Sequence, residues 1–295
     1  MRSAPRHPPC RPPRRSAMPT ALRRGLRRLA AALLALSVTV PAVAQERIPS
    51  HCLAFAADID GARYVHLAGY TDPLAADEVR IAYIDHASFL IQAGGVAAVT
   101  DFTGALGGAD LLPDVVTMNN AHTTHFTHVP DPAIPHVLEG WAHSGVPAEY
   151  DLNLGMMRVR NVPTDVRGGF EGVRANGNSI FIFEAAGLCI GHLGHLHHMP
   201  DDAQFAAIGR LDVVMAAVDG GITLDTASMI AVMQRLKARV VIPMHWFGRD
   251  ALGRFLTGMA GEFDVVDTGL REITLSLHRL PARPQVVVLE PGRLD

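Results

Sequence analysis

The segment PDVVTMNNAHTTH (residues 113–125) joins a short apolar run to a loop that carries two histidines. The run DVVTM (114–118) is continuous rather than alternating, which is typical of a buried strand. A buried strand fixes the position of the polar loop that follows it, so strand ends are common places for functional sites. This histidine loop is therefore predicted to begin where a buried strand ends.

Two further histidine groups occupy the same kind of position. Four histidines, His192, His195, His197 and His198, come after the apolar run LCIG, and His245 comes directly after VVIPM. Imidazole is the commonest metal-binding side chain, so three such loops predict convergence on one cation. HLHH (195–198) alone could be a solvated turn, and isolated histidines such as His278 are expected to be surface residues or to have their hydrogen bonds satisfied.

The remaining periodicity predicts an α/β fold of packed sheets with outer helices. Predicted strands cover residues 79–84, 87–92, 96–101, 114–118, 156–162, 179–186, 188–191, 212–218, 239–245, 272–277 and 285–290. Helices are predicted over 224–238 and 250–260. Thr223 is the expected cap of the first helix, with Asp225 in its first turn and Lys237 in its last.

The first 44 residues have the composition of a secretory signal peptide. They hold nine Lys and Arg and no Asp or Glu, with a basic stretch (21–28), an apolar run (29–40) and a small-residue cleavage site (41–44). A membrane anchor is the alternative, but the apolar run is shorter than the roughly 20 residues that span a bilayer. Met18 is the more natural start of such a signal. We therefore expect a periplasmic or secreted protein without a stable membrane anchor, and the sequence does not separate Sec from twin-arginine export.

The mature chain is predicted to be acidic. After removal of residues 1–44, 17 basic residues face 29 acidic ones, a net charge of −12 with neutral histidines. Such a surface disfavours nucleic acid as a partner, which leaves a small-molecule substrate as the expected ligand. Cys52 and Cys189 remain, and an oxidising compartment would let them pair. The apolar run GLCIG instead favours a buried thiol at Cys189.

Six segments together resemble a known family. In chain order they are HASFLI (86–91), TD (100–101), PDVVTMNNAHTTH (113–125), CIGHLGHL (189–196), DVVMAAVDGG (212–221) and LDTASMIAVMQRLKARVVIPMH (224–245). They resemble the metallo-β-lactamase superfamily, particularly the branch with the ascorbate-phosphate lactonases and the phosphodiesterases that act on N-acyl phospholipids. The resemblance implies a four-layer αββα sandwich, an α/β fold, as a single domain over residues 79–295 after a lead-in segment over 45–78.

The metal loop of this chain departs from the family pattern. Members usually bind two metals through an HxHxDH loop, a later isolated histidine, a bridging aspartate and a final histidine. Here the loop reads Asn120-Ala121-His122-Thr123-Thr124-His125, so Asn120 replaces the first histidine and Thr124 the aspartate. The isolated histidine is absent from VPTDV, where Asp165 is the nearest possible ligand.

The later ligands change as well, and the resemblance then implies one metal rather than two. His195 stands at the position of the bridging aspartate, while His245 keeps the final histidine. Without the bridging carboxylate and the loop aspartate, two dications lack the anionic charge that holds them together. The implied ligands of a single divalent metal are His125, His195 and His245, with His122 a fourth ligand or a hydrogen-bonding neighbour. Zinc is the first choice, and iron and manganese are alternatives.

Further residues are implied around that metal. Asn120, Asp165 or Asp219 would orient a water or a ligand histidine. Asp101 would be a structural neighbour, and His86 matches the family motif with a structural role as its alternative.

Two functions follow from this pattern. One is an exported hydrolase in which metal-bound hydroxide attacks an ester, lactone or phosphodiester. The other is a non-catalytic metal-binding or ligand-binding protein on a decayed scaffold.

Overall fold

A computed structural model of the chain describes residues 50–53, 69–169 and 172–295. The predicted signal peptide (1–44) and most of the lead-in segment lie outside these residues. Fourteen strands are described. They are β1 Glu78–Asp85, β2 Ser88–Ala93, β3 Val96–Val99, β4 Val115–Met118, β5 His136–Glu139, β6 Asp151–Asn153, β7 Met157–Gly168, β8 Gly172–Ala185, β9 Leu188–His192, β10 Val213–Ala217, β11 Val240–Met244, β12 Asp264–Asp267, β13 Glu272–Ser276 and β14 Gln285–Val288.

Three α-helices and one 3-10 helix accompany these strands in the described part of the chain. They are α1 Asp202–Ile208, α2 Thr226–Leu236, α3 Arg249–Met259 and the 3-10 helix Leu277–Arg279. None of the helices found among the described residues has the length and apolar character that crossing a bilayer requires.

The strands form two mixed sheets. One has six strands in the order β13-β1-β2-β3-β4-β5, and the other has eight in the order β12-β14-β11-β10-β9-β8-β7-β6. Strands β9, β10 and β11 run parallel side by side, so their carboxyl ends meet at one edge. The strand β4 of the other sheet contributes the histidine loop to the same site, as the contacts below establish.

The core lies between the two sheets and on both of their outer faces. Inward-facing side chains such as Phe89, Phe181 and Met215 are fully buried in the central cluster. A second cluster lies between the eight-stranded sheet and the helices, with Phe255 and Met229 at its centre. The α/β sandwich is confirmed; among the described residues, loops rather than helices cover the outer face of the six-stranded sheet.

The long hairpin of β7 and β8 was only partly predicted. Its outer half extends past residue 162 because the pairing continues from Val166 opposite Arg174 to Gly168 opposite Gly172. The side chains of Val173, Arg174 and Ala175 are exposed there, so the apolar pattern that identifies buried strands is missing. The short strands β5, β6 and β12 were missed for the same reason, since most of their side chains are exposed or half-buried. The seven-residue helix α1 buries only Ile208 and so lacks an apolar period.

Thr223 is not the cap of α2. The Asp225 side chain accepts the Ser228 N–H at 3.0 Å and is the N-cap, so the helix begins at Thr226. The Thr223 hydroxyl instead donates to Asp219 Oδ2 at 2.6 Å. A buried carboxylate nearby therefore determines the role of this threonine.

The expected thiol at Cys189 is also wrong. Cys52 and Cys189 form a disulfide with a Cα–Cα distance of 5.7 Å. The apolar surroundings of Cys189 were identified correctly, since both cysteines are buried. Nothing in the local sequence shows that residues 50–53 return to strand β9, 137 positions along the chain.

Candidate metal centre

Three imidazoles converge between the ends of the two sheets. Nitrogen atoms of His86, His125 and His245 all lie within 4.8 Å of one another. The closest pair is His125 Nε2 and His245 Nε2, at 3.2 Å. His125 ends the loop after β4, His245 directly follows β11, and His86 lies in the turn between β1 and β2.

A carboxylate lies behind each of the two central imidazoles. Asp101 Oδ2 is 2.7 Å from His125 Nδ1, and Asp219 Oδ2 is 2.9 Å from His245 Nδ1. An ionised carboxylate can only accept, so Asp101 assigns the His125 proton to Nδ1 and leaves a lone pair on His125 Nε2. Asp219 contacts His245 Nδ1 without the alignment of a hydrogen bond, so this contact does not assign the His245 proton. A cation bound beside the two Nε2 atoms would use the His125 lone pair, and carboxylates next to ligand histidines are typical of known metal sites.

Burial and the neighbouring imidazoles keep His86 and His125 neutral. Burial lowers the pKa of His125 to about 3, and the neighbouring His245 and His122 lower it further. Burial also lowers the pKa of His86 to about 3, with His245 and His125 contributing. Metal ligands must be unprotonated, so neutral histidines at physiological pH are ready to bind.

Hydrogen bonds hold the buried Asp101 in place beside His125. It is fully buried, its Oδ1 accepts the Asn119 N–H at 2.8 Å, and its backbone carbonyl accepts from Ser88. Burial raises its pKa to about 6, although His192 and the Asn119 N–H oppose the rise. It remains predominantly ionised at neutral pH and can accept the His125 proton.

The Asp219 carboxylate contacts both the backbone of the loop that follows it and the candidate ligand His245. Its Oδ1 accepts the backbone N–H groups of Gly221, Ile222 and Thr223. Although burial raises its pKa, contacts with His245, Thr223 and Gly221 outweigh burial and hold the pKa below its usual range. A carboxylate that stays charged is suited to orienting His245, whose Nδ1 lies 2.9 Å from Asp219 Oδ2.

The backbone is constrained at the same place. His86, Asp101 and His245 adopt positive φ values of 45°, 41° and 57°. Left-handed backbone is unfavourable for such residues and persists where the surrounding structure enforces it, often at functional sites. The His86 carbonyl helps to hold this backbone conformation, since it accepts hydrogen bonds from the His245 N–H at 2.8 Å and from the Tyr83 hydroxyl at 2.6 Å.

His195 and His122 lie beside these imidazoles. The His195 ring centroid is 4.6 Å from that of His125 and 5.2 Å from that of His245. Its Nδ1 is buried and has no hydrogen-bond partner among the described residues. His122 stacks on His195 at 5.4 Å, is exposed, and pairs its Nδ1 with the Thr124 hydroxyl at 3.1 Å. His195 is therefore adjacent to the centre, and His122 lies at its rim.

The other predicted residues separate into neighbours and structural groups. Asn120 is buried beside the histidine loop and its Oδ1 lies 3.5 Å from Arg174 Nη2. Asp165 accepts the Asn176 N–H at 2.9 Å, so its carboxylate holds the β7–β8 hairpin. His192 is satisfied inside the core, because its Nε2 donates to the Ala87 carbonyl at 2.7 Å.

His86 is the member of the cluster that the sequence indicated least clearly. Its signal was the position at the head of HASFLI, and a structural role was the alternative. Phe247, which is exposed, lies with its ring centroid 5.3 Å from the centroids of both His86 and His245. This edge of the centre is therefore apolar.

The edge near His195 is polar. The Arg167 N–H donates to His197 Nδ1 at 2.7 Å, and the His197 and His195 ring centroids are 4.8 Å apart. Burial lowers the pKa of His197 to about 4, and the positive charges of Arg167 and Arg174 contribute.

Asp101→Asn is expected to weaken metal binding about 10- to 100-fold, because loss of a carboxylate partner lets the ligand imidazole reorient. The amide can still accept the Asn119 N–H, so the fold should survive. Equilibrium dialysis with zinc measures the affinity. Asp114→Asn is the matched control, since Asp114 also accepts a backbone N–H, from Ala97 at 2.8 Å. Equal zinc affinity in Asp101→Asn and Asp114→Asn would contradict the role of Asp101.

A family model and two curated relatives agree on the family of this chain. A family model described as a beta-lactamase superfamily domain matches residues 80–245. A UPF0173 metal-dependent hydrolase from Thermococcus kodakarensis is 26% identical over 197 residues, which cover 57% of this chain and 84% of the relative. A UPF0173 metal-dependent hydrolase from Methanoregula boonei is 22% identical over 189 residues, covering 57% of this chain and 82% of the relative.

Similarity extends to a solved structure. A candidate zinc-dependent hydrolase of the metallo-beta-lactamase superfamily from Thermotoga maritima superposes with a TM-score of 0.51 at 26% identity. The match covers 72% of this chain and 98% of that one. The matched family region contains every imidazole of the centre described above, from His86 to His245.

Proposed function

Because the chain belongs to the metallo-β-lactamase superfamily, we propose that this metal-dependent hydrolase cleaves an ester, lactone or phosphodiester bond of a small molecule at a single metal ion. The observation that carries the proposal is the pair of imidazoles whose Nε2 atoms lie 3.2 Å apart, each with a carboxylate behind it. The Asp101 carboxylate leaves a lone pair on the buried His125 Nε2, and a cation bound beside His245 Nε2 would use that lone pair.

We place the metal on His86, His125 and His245, whose nitrogens come closest together. His195 is the candidate fourth ligand or the group that faces the substrate, since its Nδ1 is unpaired and its ring is 4.6 Å from that of His125. His122, which is exposed, would lie on the substrate side. Zinc suits a site made of imidazoles, and iron and manganese are the alternatives.

The residues themselves support one dication rather than two. The ligand positions carry imidazoles rather than carboxylates, and Asn120 and Thr124 bring no charge to the histidine loop. The two carboxylates at the centre, Asp101 and Asp219, are already directed at the Nδ1 atoms of His125 and His245. The two positive charges of one dication balance the two negative charges of these carboxylates, whereas a second dication would have no negative charge to balance it.

Each residue then has a defined part in hydrolysis. A divalent metal, when bound, lowers the pKa of a coordinated water toward about 7 and polarises the bond to be cleaved. Asp101 holds the Nδ1 proton of His125 and so keeps the Nε2 lone pair of His125 directed at the centre, and the Asp219 carboxylate lies 2.9 Å from His245 Nδ1. The buried Nδ1 of His195 can accept a hydrogen bond from the attacking water and orient it. Phe247 limits water on the opposite edge.

Removal of the metal tests the function directly. The zinc-loaded protein is expected to hydrolyse at least one member of a panel of p-nitrophenyl esters, aryl lactones and bis-p-nitrophenyl phosphate. Dialysis against a chelator should abolish this turnover, and one equivalent of zinc should restore it. Metal analysis per chain is measured on the same samples.

A stoichiometry of one with no turnover on the whole panel would refute the hydrolase. That outcome would favour the alternative, a metal-binding or ligand-binding protein on the same scaffold. A stoichiometry of two with turnover would refute the single-metal site.

We further propose that the chain is exported. The composition of residues 1–44 supports this, and so does the Cys52–Cys189 disulfide, because disulfides persist in oxidising compartments such as the periplasm. Cell fractionation and the first residue of the mature chain, expected to be Gln45, test the proposal. Retention in the cytoplasm with residues 1–44 intact would contradict it.

A further inference from the structure

One edge of the metal centre carries hydrogen-bond donors that the centre itself does not use. His197 Nδ1 accepts the Arg167 N–H at 2.7 Å, so the neutral ring must carry its proton on Nε2. That Nε2 is buried and has no partner among the described residues. A buried donor without an acceptor costs free energy, and a ligand oxygen would remove that cost.

Arg174 supplies a positive charge at the same edge. It lies on β8 in the outer half of the hairpin, and its Nη2 is 3.5 Å from the neutral Oδ1 of Asn120. No carboxylate of the described residues forms an ion pair with it. It pairs across the hairpin with Val166, the residue before Arg167, whose N–H binds His197. Arg174 is thus next to the histidine loop and on the part of the hairpin that His197 contacts.

The local backbone makes room for this arginine. A Cβ atom added at Gly177 would lie 2.8 Å from Arg174 Nε and 2.5 Å from a methyl group of Val166. Glycine at that position therefore allows the Arg174 side chain to lie across the hairpin toward Asn120. The neighbouring Arg167 has a different task, since its guanidinium donates to the carbonyls of Gly221, Ile222 and Thr223.

We propose that Arg174 and His197 form an anion-binding subsite beside the metal centre, and that the substrate carries a carboxylate or phosphate group that binds there. An arginine guanidinium together with an imidazole N–H matches the oxygen atoms of such a group. The proposal rests on the proposed function for its placement next to a cleaved bond. It adds the class of substrate, an anionic one.

Two matched esters test the subsite. The zinc-loaded full chain is assayed with p-nitrophenyl acetate, which is neutral, and with mono-p-nitrophenyl succinate, which has the same leaving group and a free carboxylate. Arg174→Gln is expected to lower kcat/KM for the succinate ester about 10-fold or more, mainly through KM, because a charge-assisted hydrogen bond is lost. The acetate ester should change less than about twofold, since it makes no such bond.

Two further variants complete the assay. His197→Asn keeps an oxygen that can accept the Arg167 N–H but removes the Nε2 donor, and we expect a loss of roughly threefold or more on the succinate ester alone. Arg283→Gln is the control, because Arg283 is exposed and pairs with Asp264 at 2.9 Å. Equal losses on both esters for Arg174→Gln would overturn the subsite and leave the hydrolase intact.

Binding measurements separate this inference from the proposed function. Titration calorimetry of the zinc-loaded protein with succinate and with inorganic phosphate requires no turnover. An affinity at least about 10-fold lower in Arg174→Gln than in Arg283→Gln, for either anion, supports the subsite even if no ester is hydrolysed. The anion with the larger loss identifies the group that the subsite recognises. Unchanged affinity for both anions would refute it.

Discussion

His245→Ala and His125→Ala are each expected to lower the affinity for zinc by more than about 100-fold and to abolish metal-dependent turnover. Loss of a carboxylate partner alone costs about 10- to 100-fold, and loss of a ligand must cost more. These two residues are decisive because their Nε2 atoms form the closest pair in the centre. Zinc per chain after gel filtration measures retention, and calorimetry measures affinity.

The same assay distinguishes the two possible third ligands. If the metal lies on His86, His125 and His245, His86→Ala should release zinc as His245→Ala does, whereas His195→Ala should retain it with altered turnover. The opposite pattern would place the metal on His195, as the family resemblance implied. His278→Ala is the matched control, since His278 is an exposed histidine in the 3-10 helix after β13. Full zinc occupancy in both His125→Ala and His245→Ala would refute the centre itself.

Removal of the disulfide is expected to produce the largest loss of stability. Cys52→Ala combined with Cys189→Ala should lower the free energy of unfolding by about 2–5 kcal/mol, because the crosslink restricts a long loop of the unfolded chain. The bridge also fixes residues 50–53 against the fold, where the Cys52 carbonyl accepts the Arg210 N–H at 2.8 Å. Urea unfolding followed by circular dichroism measures the change.

Reduction of the wild-type protein is the matching control. A reducing agent should move the wild-type urea midpoint to that of the double variant and leave the variant unchanged. Zinc content should be the same in the oxidised wild type and in the double variant, since neither cysteine belongs to the imidazole cluster. Identical midpoints for oxidised and reduced wild type would show that the disulfide does not stabilise the fold.

Long apolar runs made most of the strands predictable. β4, β9, β10 and β11 are fully buried, so their composition alone identifies them. The loops after β4, β9 and β11 carry histidines, and the loop after β10 carries Asp219. The half-exposed outer part of the β7–β8 hairpin lacks such a pattern, and its length depends on pairing between residues on different strands. Because that hairpin carries Arg174, local sequence patterns could not predict the proposed anion-binding subsite.

The roles of individual side chains depended on partners far along the chain. Asp101 was expected to be a structural neighbour of the metal site, and its Oδ2 lies 2.7 Å from Nδ1 of His125, 24 positions away. Asp219 was a candidate for orienting a ligand or a water, and its Oδ2 lies 2.9 Å from Nδ1 of His245. Asp165 was a candidate for the same work, but its carboxylate accepts a backbone N–H within the hairpin.

The sequence by itself determined the family, the buried strands and the loops that carry histidine, because burial and metal-binding chemistry leave local patterns of residue type. Only the tertiary structure decided that His86 joins His125 and His245, that Cys52 reaches Cys189 and that Thr223 supports Asp219 rather than capping a helix. Each of these contacts depends on where the backbone brings side chains together in space. The local sequence pattern does not show how far apart these side chains are in the folded chain.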